Sequence, residues 1–221
     1  MWYTIMEDNL VAEKRISSAV VKRLPRYYRY LSELLEQGTD RISSGALSKQ
    51  MKVTASQIRQ DFNNFGGFGQ QGYGYNVSYL KDEIGKILGL DRNYHVIILG
   101  AGNLGHALAN YAGFEKRGFV VSGVFDVDKN KIGTKIGQVE VMDMMCLREF
   151  IQKQPVDIAA LTLPRSQASS VAKELVSLGV SAFWNFAATD LNLPDDIAVE
   201  NVHLAESLMR LSYNISNLPQ K

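Results

Sequence analysis

Gly100-Ala101-Gly102-Asn103-Leu104-Gly105 follows directly on the apolar run Val96-Ile97-Ile98-Leu99, and Asp126 stands 21 residues beyond Gly105. Glycines at the first, third and sixth places of such a turn let the chain reverse, let backbone approach a pyrophosphate, and let a helix pack closely on its strand. The N–H groups from Asn103 onward would then face the phosphates, aided by the helix dipole. A carboxylate at the distance of Asp126 accepts both hydroxyls of an adenosine ribose and repels a 2′-phosphate, which favours NAD(H) over NADP(H). The glycines alone are weak evidence; strand before, helix after and acid in place make the signal specific. Similar turns also hold S-adenosylmethionine or CoA, and the residues by themselves leave both open.

A second set of residues has chemistry of another kind. Ser56, Gln57, Arg59, Gln60 and Asn63 fall on one face of a helix whose other face carries Ala55, Ile58 and Phe62. Arg pairs bidentately with guanine edges, Gln and Asn pair with adenine edges, and Ser serves phosphates. Thr54 with Gln57 three residues on forms a capping box at the start of that helix. Ser43 and Ser44 offer N-cap hydroxyls for a preceding helix that turns Leu47 and Met51 inward. Before it, residues 24–37 read as a helix with Pro25 in the first turn and Gly38 at the end. Tyr27, Leu31, Leu34 and Leu35 mark its buried stripe, and Arg26 and Arg29 project elsewhere. Three short helices with a tight break before the third make a helix-turn-helix. The alternation of glycine with aromatics over 65–77 predicts a two-stranded wing directly after it. Another helix over 78–88, with Ser78 as N-cap and Gly89 as its end, closes this part, and 91–93 reads as the linker.

The elements that must carry the glycine turn alternate strand and helix. Strands are predicted at 96–99, 119–126, 156–163, 180–186 and 199–202. A helix from Asn103 carries Leu104, Ala107, Leu108 and Tyr111, and another spans 166–178. Uniformly apolar strands alternating with helices imply a parallel sheet covered on both faces. Ligands in such sheets sit at the carboxyl ends of strands, so Thr162, Pro164, Asn185 and Phe186 are candidates to line the pocket. The fold class is α/β: an N-terminal winged helix-turn-helix domain over 1–90, then a Rossmann-type doubly wound sheet over 94–202.

Charge separates the two halves. Residues 14–59 hold ten Lys or Arg against three acids, in a chain of 221 residues whose net charge is only +1. A basic segment in a near-neutral chain points to a polyanionic partner for that segment. No stretch reaches 18 consecutive apolar residues, and the N-terminal segment carries the acids Glu7 and Asp8 where a signal peptide would carry positive charge, so neither a membrane span nor a signal peptide is expected. The one cysteine, Cys146, cannot form an internal disulfide, is expected to be buried packing, and fits a cytoplasmic protein. His95 starts a strand, His106 follows the glycine motif, and His203 opens the last helix. None pairs with Asp, Lys or Tyr at a spacing that suggests hydride transfer. No catalytic residue and no metal site is expected, and a sensor fits better than a dehydrogenase. A small NAD-dependent oxidoreductase whose N-terminal helices merely dimerise stays as the alternative, as does a regulator of another nucleotide or CoA.

Taken together the chain resembles the Rex family of redox-sensing transcriptional repressors. The motifs that carry the resemblance run from Leu24 to Ile215. They are Arg26-Tyr27-Tyr28-Arg29-Tyr30-Leu31, Ile42-Ser43-Ser44, Gln57-Ile58-Arg59-Gln60-Asp61, the glycine-aromatic wing, the Gly100 to Gly105 turn with Tyr111-Ala112-Gly113-Phe114, Phe125-Asp126-Val127-Asp128, and Asn185-Phe186-Ala187. The resemblance implies a homodimer whose final helix, 203–217, is exchanged onto the partner. It implies binding to double-stranded operator DNA with an A/T-rich pseudo-palindrome, and release on binding NADH but not NAD+. Arg59 matches a DNA-contact position of the family. Arg29, Tyr111 and the position of His203 match a set linking the DNA-binding domain to the nicotinamide pocket. The chain departs from the family at Gln70-Gln71, where Lys-Arg often stands in the wing, and at His203, where Asp is common. Gln71 would then contact DNA through neutral hydrogen bonds.

Overall fold

The computed structural model describes residues 17–63, 69–70 and 73–218. The chain divides between Asp91 and Arg92 into two compact units. Helices α1 (Ser18–Val21) and α2 (Leu24–Glu36) open the first, with Pro25 in the first turn of α2. Strand β1 (Arg41–Ile42), helix α3 (Ser44–Met51) and helix α4 (Ala55–Asn63) follow. Strands β2 (Gly69–Gln70) and β3 (Gly74–Asn76) and helix α5 (Val77–Ile87) complete it. The stripe of α2 packs Leu24, Tyr27, Leu31 and Leu34 against Leu47 and Met51 of α3, Ile58 and Phe62 of α4, and Leu80 and Ile84 of α5. Each fully buried apolar side chain of this kind contributes roughly 1.5–3 kcal/mol. Leu35, expected in the stripe, is only half-buried, because α2 turns that flank toward the rim of the core.

The wing is a three-stranded antiparallel sheet in the order β1-β3-β2. Its edge strand β1 was not foreseen: two residues are too few to show alternation. Phe62 meets Tyr27 and Tyr75 edge-on, each at 5.0 Å between ring centroids, so the third helix is locked to both α2 and the wing. Helix α5 starts two residues earlier than its serine suggests: Asn76 Oδ1, not Ser78, accepts from the Tyr79 N–H at 2.8 Å. Asn is as strong an N-cap as Ser, and the two compete only through register.

In the second unit β4 (Tyr94–Leu99) leads into α6 (Asn103–Ala109), then β5 (Phe119–Asp126), β6 (Lys135–Ile136) and β7 (Val139–Asp143). Helix α7 (Leu147–Lys153), β8 (Ile158–Leu161), α8 (Arg165–Ser177), β9 (Ala182–Asn185), β10 (Ala198–Asn201) and α9 (Leu204–Ser216) follow. The sheet order is β10-β9-β8-β4-β5-β7-β6, parallel except for the β6–β7 hairpin. Leaving out β6, this is the doubly wound order in which chain direction reverses beside the first strand. The crevice at that reversal lies between the carboxyl ends of β4 and β8, where the glycine turn emerges.

Two expectations fail in this unit, and one part of it was not foreseen. Helix α6 ends at Ala109, with Ala107 exposed and Tyr111 beyond its end and 57% exposed, edge-on to Phe114 at 4.7 Å. The apolar period of 104–111 outlasts the helix because Tyr111 packs on Phe114 rather than along the helix flank. Cys146 is exposed, since it ends a 3₁₀ turn capped by Asp143. The β6–β7 hairpin and α7 gave no signal, the strands being two and five residues long.

Candidate functional site

The glycine turn is held by close backbone contacts. Gly100 adopts φ +103°, and a Cβ there would lie 2.7 Å from the Thr162 carbonyl. Gly105 approaches Gly100 so closely that a Cβ would lie 1.9 Å from the Gly100 carbonyl. Thr162, at the end of β8, shares its hydroxyl proton between Gly100 O (2.7 Å) and Leu99 O (3.0 Å). It is therefore a strut under the turn. Gly102 is different: exposed, extended at φ −75° and ψ −174°, with nothing within 4 Å of where a Cβ would stand. Space is left open over the one glycine that borders solvent. The first N–H bonded back into the helix belongs to His106, which donates to Gly102 O at 2.8 Å. Those of Asn103, Leu104 and Gly105 precede it and have no intrahelical acceptor. Leu104 is half-buried and Asn103 exposed.

Asp126 ends β5, nearly buried, beside this turn. Its Oδ2 accepts from the Ala101 N–H at 2.7 Å and from Lys131 Nζ at 3.1 Å, and its Oδ1 accepts from the Asp128 N–H at 2.8 Å. Burial alone would raise its pKa, but the Asp128 N–H, Lys131 and the Ala101 N–H outweigh it and hold the carboxyl below its ordinary range. The group is an anion, fixed in orientation by two backbone donors. The Ala101 N–H serves Asp126 here, and Ala101 is itself buried.

Asn185 is fully buried rather than open to a pocket. It donates from Nδ2 to Thr189 O (2.8 Å) and to Asn201 Oδ1 (2.7 Å), and accepts from the Ala187 N–H at 3.0 Å. It shapes the loop after β9 and ties it to the end of β10. Asn185→Ala is expected to cost about 2–3 kcal/mol, because it strands buried partners, and thermal melting checks it. Pro164 is exposed and caps α8. Beside that helix a cavity of about 460 Å³ is lined by Arg165, Asp190, His203 and Glu206 among others.

In the first unit the polar face of α4 is more differentiated than its spacing predicts. Ser56, Arg59 and Gln60 are exposed. Gln57 is drawn inward: its Nε2 donates to Asp61 Oδ1 at 2.8 Å. Thr54 Oγ1 accepts from the Gln57 N–H (3.1 Å), so the cap forms, but the Gln57 side chain does not return to complete the box. Asp61, fully buried, is the residue that sequence reasoning missed. It accepts from Arg23 Nε and Nη2 at 2.7 Å each, from the Tyr27 hydroxyl at 2.8 Å and from Gln57. Burial would raise its pKa, yet those three donors outweigh it and keep the carboxyl ionised below its usual range. Burial, and then the carboxylate of Asp61, drive the Tyr27 phenol upward. An Asp repeating the apolar period of Ile58 and Phe62 was the available signal.

Ser43 Oγ caps α3 by accepting from the Ala46 N–H (3.0 Å), and Ser44 Oγ accepts from Arg59 Nη1 at 3.1 Å. Serines of one helix and the arginine of the next thus meet on one surface. Burial raises the Tyr75 phenol, and the Arg59 cation pulls it partly back. Arg29 is exposed on α2, 3.7 Å from Glu33 and over the Tyr30 ring at 5.2 Å. Gln71 lies outside the described residues. Among the described residues no cluster of His, Cys, Asp and Glu could hold a metal ion, and no helix is long and apolar enough to cross a membrane.

Comparison with known proteins covers both halves. Residues 15–63 match a family model described as a putative DNA-binding protein N-terminus, and 91–189 match one described as a CoA binding domain. A redox-sensing transcriptional repressor Rex from Thermoanaerobacter pseudethanolicus is 54% identical over 91% of this chain and 90% of its own length. One from Clostridioides difficile is 54% identical over 92% and 97%. Among solved structures, RSP in complex with beta-NAD+ and operator DNA superposes with a TM-score of 0.85 at 52% identity, covering 97% of this chain and 94% of that one. RSP in complex with beta-NADH gives 0.85 at 51% identity, over 91% and 95%. With a helix-turn-helix, a doubly wound sheet and relatives of this identity along nearly its whole length, the chain belongs to the Rex family of redox-sensing transcriptional repressors.

Proposed function

We propose that this chain is a transcriptional repressor that binds operator DNA through its N-terminal unit, reads NADH against NAD+ through its C-terminal unit, and performs no catalysis. One observation carries the reading: a helix-turn-helix with a serine–arginine surface and a glycine turn facing an ionised aspartate occur on one polypeptide. The residues suit the dinucleotide. Gly102 leaves room for a pyrophosphate, Asn103 and Leu104 offer N–H donors, and Asp126 is an acceptor for ribose hydroxyls. Thr162, Pro164, Asn185 and Tyr111 then frame the rest of the site. The relatives named as repressors turn the reading away from a small oxidoreductase.

On the DNA side, Ser43, Ser44, Ser56, Arg59 and Gln60 form the proposed contact face, with Gln57 contributing through Asp61; Arg29 and Gln71 are further proposed contacts. Arg59→Ala is expected to weaken operator binding by about 1–3 kcal/mol and to relax base preference where the arginine sits. Anisotropy of labelled duplexes with single base changes checks it. Pairing of two chains is supported by α9, whose Leu204, Leu208, Leu211 and Ile215 share one flank and are each more than half exposed. A cytoplasmic setting agrees with operator binding.

For the switch, moving the protein from nearly all bound to nearly all released requires about 5.5 kcal/mol of differential affinity between two states. NADH and NAD+ differ at the nicotinamide ring, so its charge must be felt in a pocket that desolvates it. The deciding experiment titrates a labelled A/T-rich palindromic duplex, bound to the full chain, with NADH, NAD+ and NADPH. Release by NADH at concentrations where NAD+ leaves the complex intact is expected. Tight DNA binding indifferent to all three would overturn the redox reading.

A further inference from the structure

The wing of the first unit brings no charge of its own to a polyanion. Residues 64–77 hold no Lys, Arg, Asp or Glu. Of the residues in strands β1, β2 and β3, Arg41 alone is charged. It stands on the edge strand β1, opposite Asn76 of β3. Its side chain runs along β3 to Tyr73, the residue before that strand. There Nη1 donates a long hydrogen bond to Tyr73 O at 3.4 Å, and the guanidinium lies 5.9 Å from the centroid of the Tyr73 ring. Both partners face solvent: Arg41 is exposed, and Tyr73 is 73% exposed. Among the described residues Arg41 forms no ion pair, Asp40 beside it included.

The strand also fixes where this cation points. Ile42 is buried, while Arg41 and Ser43 on either side of it are exposed, and Ser43 is still extended at φ −85° and ψ 156°. Alternation along an extended chain sends Arg41 and Ser43 to the same side. Ser43 caps α3, and Ser44 next to it accepts from Arg59 Nη1 at 3.1 Å. Arg41 therefore borders the proposed contact face without belonging to the recognition helix. A guanidinium resting on an aromatic ring keeps its N–H edges free and loses little freedom when it forms a bond. We propose that Arg41, held by Tyr73, is a phosphate-contacting residue of this repressor: the neighbouring strand lends the uncharged wing its cation, and the contact adds affinity without reading sequence. The proposal rests on operator binding by the N-terminal unit.

The test is fluorescence anisotropy of two labelled duplexes, an A/T-rich palindrome and a scrambled duplex of equal length and composition, titrated with the full chain at several salt concentrations. Arg41→Gln is expected to weaken both by the same factor, about tenfold near 0.1 M salt, and to lower the slope of log affinity against log salt by about 1. Arg41→Lys should keep the slope, because the charge stays. Tyr73→Leu should also keep the slope while weakening both duplexes about threefold, because the cation loses its rest. Melting temperature and NADH affinity of all three variants should match the parent, since both residues are exposed. An unchanged slope in Arg41→Gln overturns the proposal, as does a loss confined to the palindrome, which would make Arg41 a reader of bases. Unchanged affinity in Tyr73→Leu overturns the role of Tyr73. Arg59→Ala in the same titrations separates the levels. If it weakens the palindrome while Arg41→Gln changes nothing, the proposal alone fails; if the parent binds neither duplex, the operator-binding reading fails beneath it.

Discussion

Asp61→Ala is expected to destabilise the N-terminal unit by about 3 kcal/mol and to abolish operator binding by the full chain. The carboxylate is fully buried and has four hydrogen bonds to three side chains, so its loss strands the Arg23 guanidinium, the Tyr27 hydroxyl and Gln57 together. For a unit of this size such a loss lowers the melting temperature by more than about 10 °C, which calorimetry of the full chain checks. The DNA effect follows from geometry. Asp61 lies on the same helix as Arg59, and its anchor to Arg23 fixes how far α4 stands out from the core. The pH dependence has a definite sign. The folded Asp61 carboxyl titrates below its unfolded value, so its contribution is complete above the ordinary carboxylate range and is lost as pH falls through the folded value. Asp61→Asn should flatten that acid limb, and an unaltered limb would assign the acid sensitivity to other carboxylates.

The second large effect separates two glycines of one turn. Gly105→Ala should destabilise the C-terminal unit by about 3 kcal/mol or more, because its methyl would overlap the backbone of Gly100, which cannot withdraw like a side-chain end. Gly102→Ala should leave the melting temperature unchanged, since its backbone suits any residue and no atom lies near the added methyl. The same methyl enters the space required by a pyrophosphate, so NADH affinity should fall by about tenfold or more. A Gly102→Ala variant that binds NADH normally would remove the turn from the binding site. A Gly105→Ala variant with native melting would show that the turn can slide.

What could be read from residues alone divides by the range of the interaction. The glycine turn, its strand and its acid are set by local geometry, and the strand order around β4 follows from parallel crossovers. The caps of α3 and α4 are equally local and could be named from Ser43 and Thr54. The roles of Asn185, Thr162 and Gln57 were not legible. Each is polar and sits at a strand end or on an outward-looking helix position, and only the packed partner decides whether it faces ligand or holds backbone. Asn185 supports the site from inside, Thr162 braces the turn, and Gln57 serves Asp61. Arg23 and Asp61 are 38 residues apart, a pairing that no periodicity encodes. Helix α6 failed at its far end for the same reason, since Tyr111 answers to Phe114 and not to the period.

If two copies pair on the bare flank of α9, as proposed, this protein's behaviour depends on its abundance. Joining two copies along Leu204, Leu208, Leu211 and Ile215 adds to the free energy of the active form a contribution that grows with the logarithm of protein concentration. Below the pairing threshold the population of doubled molecules rises as the square of the copies made. A cell that halves synthesis would then lose three-quarters, roughly, of the molecules able to grip both half-sites at once. In that pairing, gene dosage would set how much reduced cofactor is needed to silence the signal, before the cofactor itself has changed.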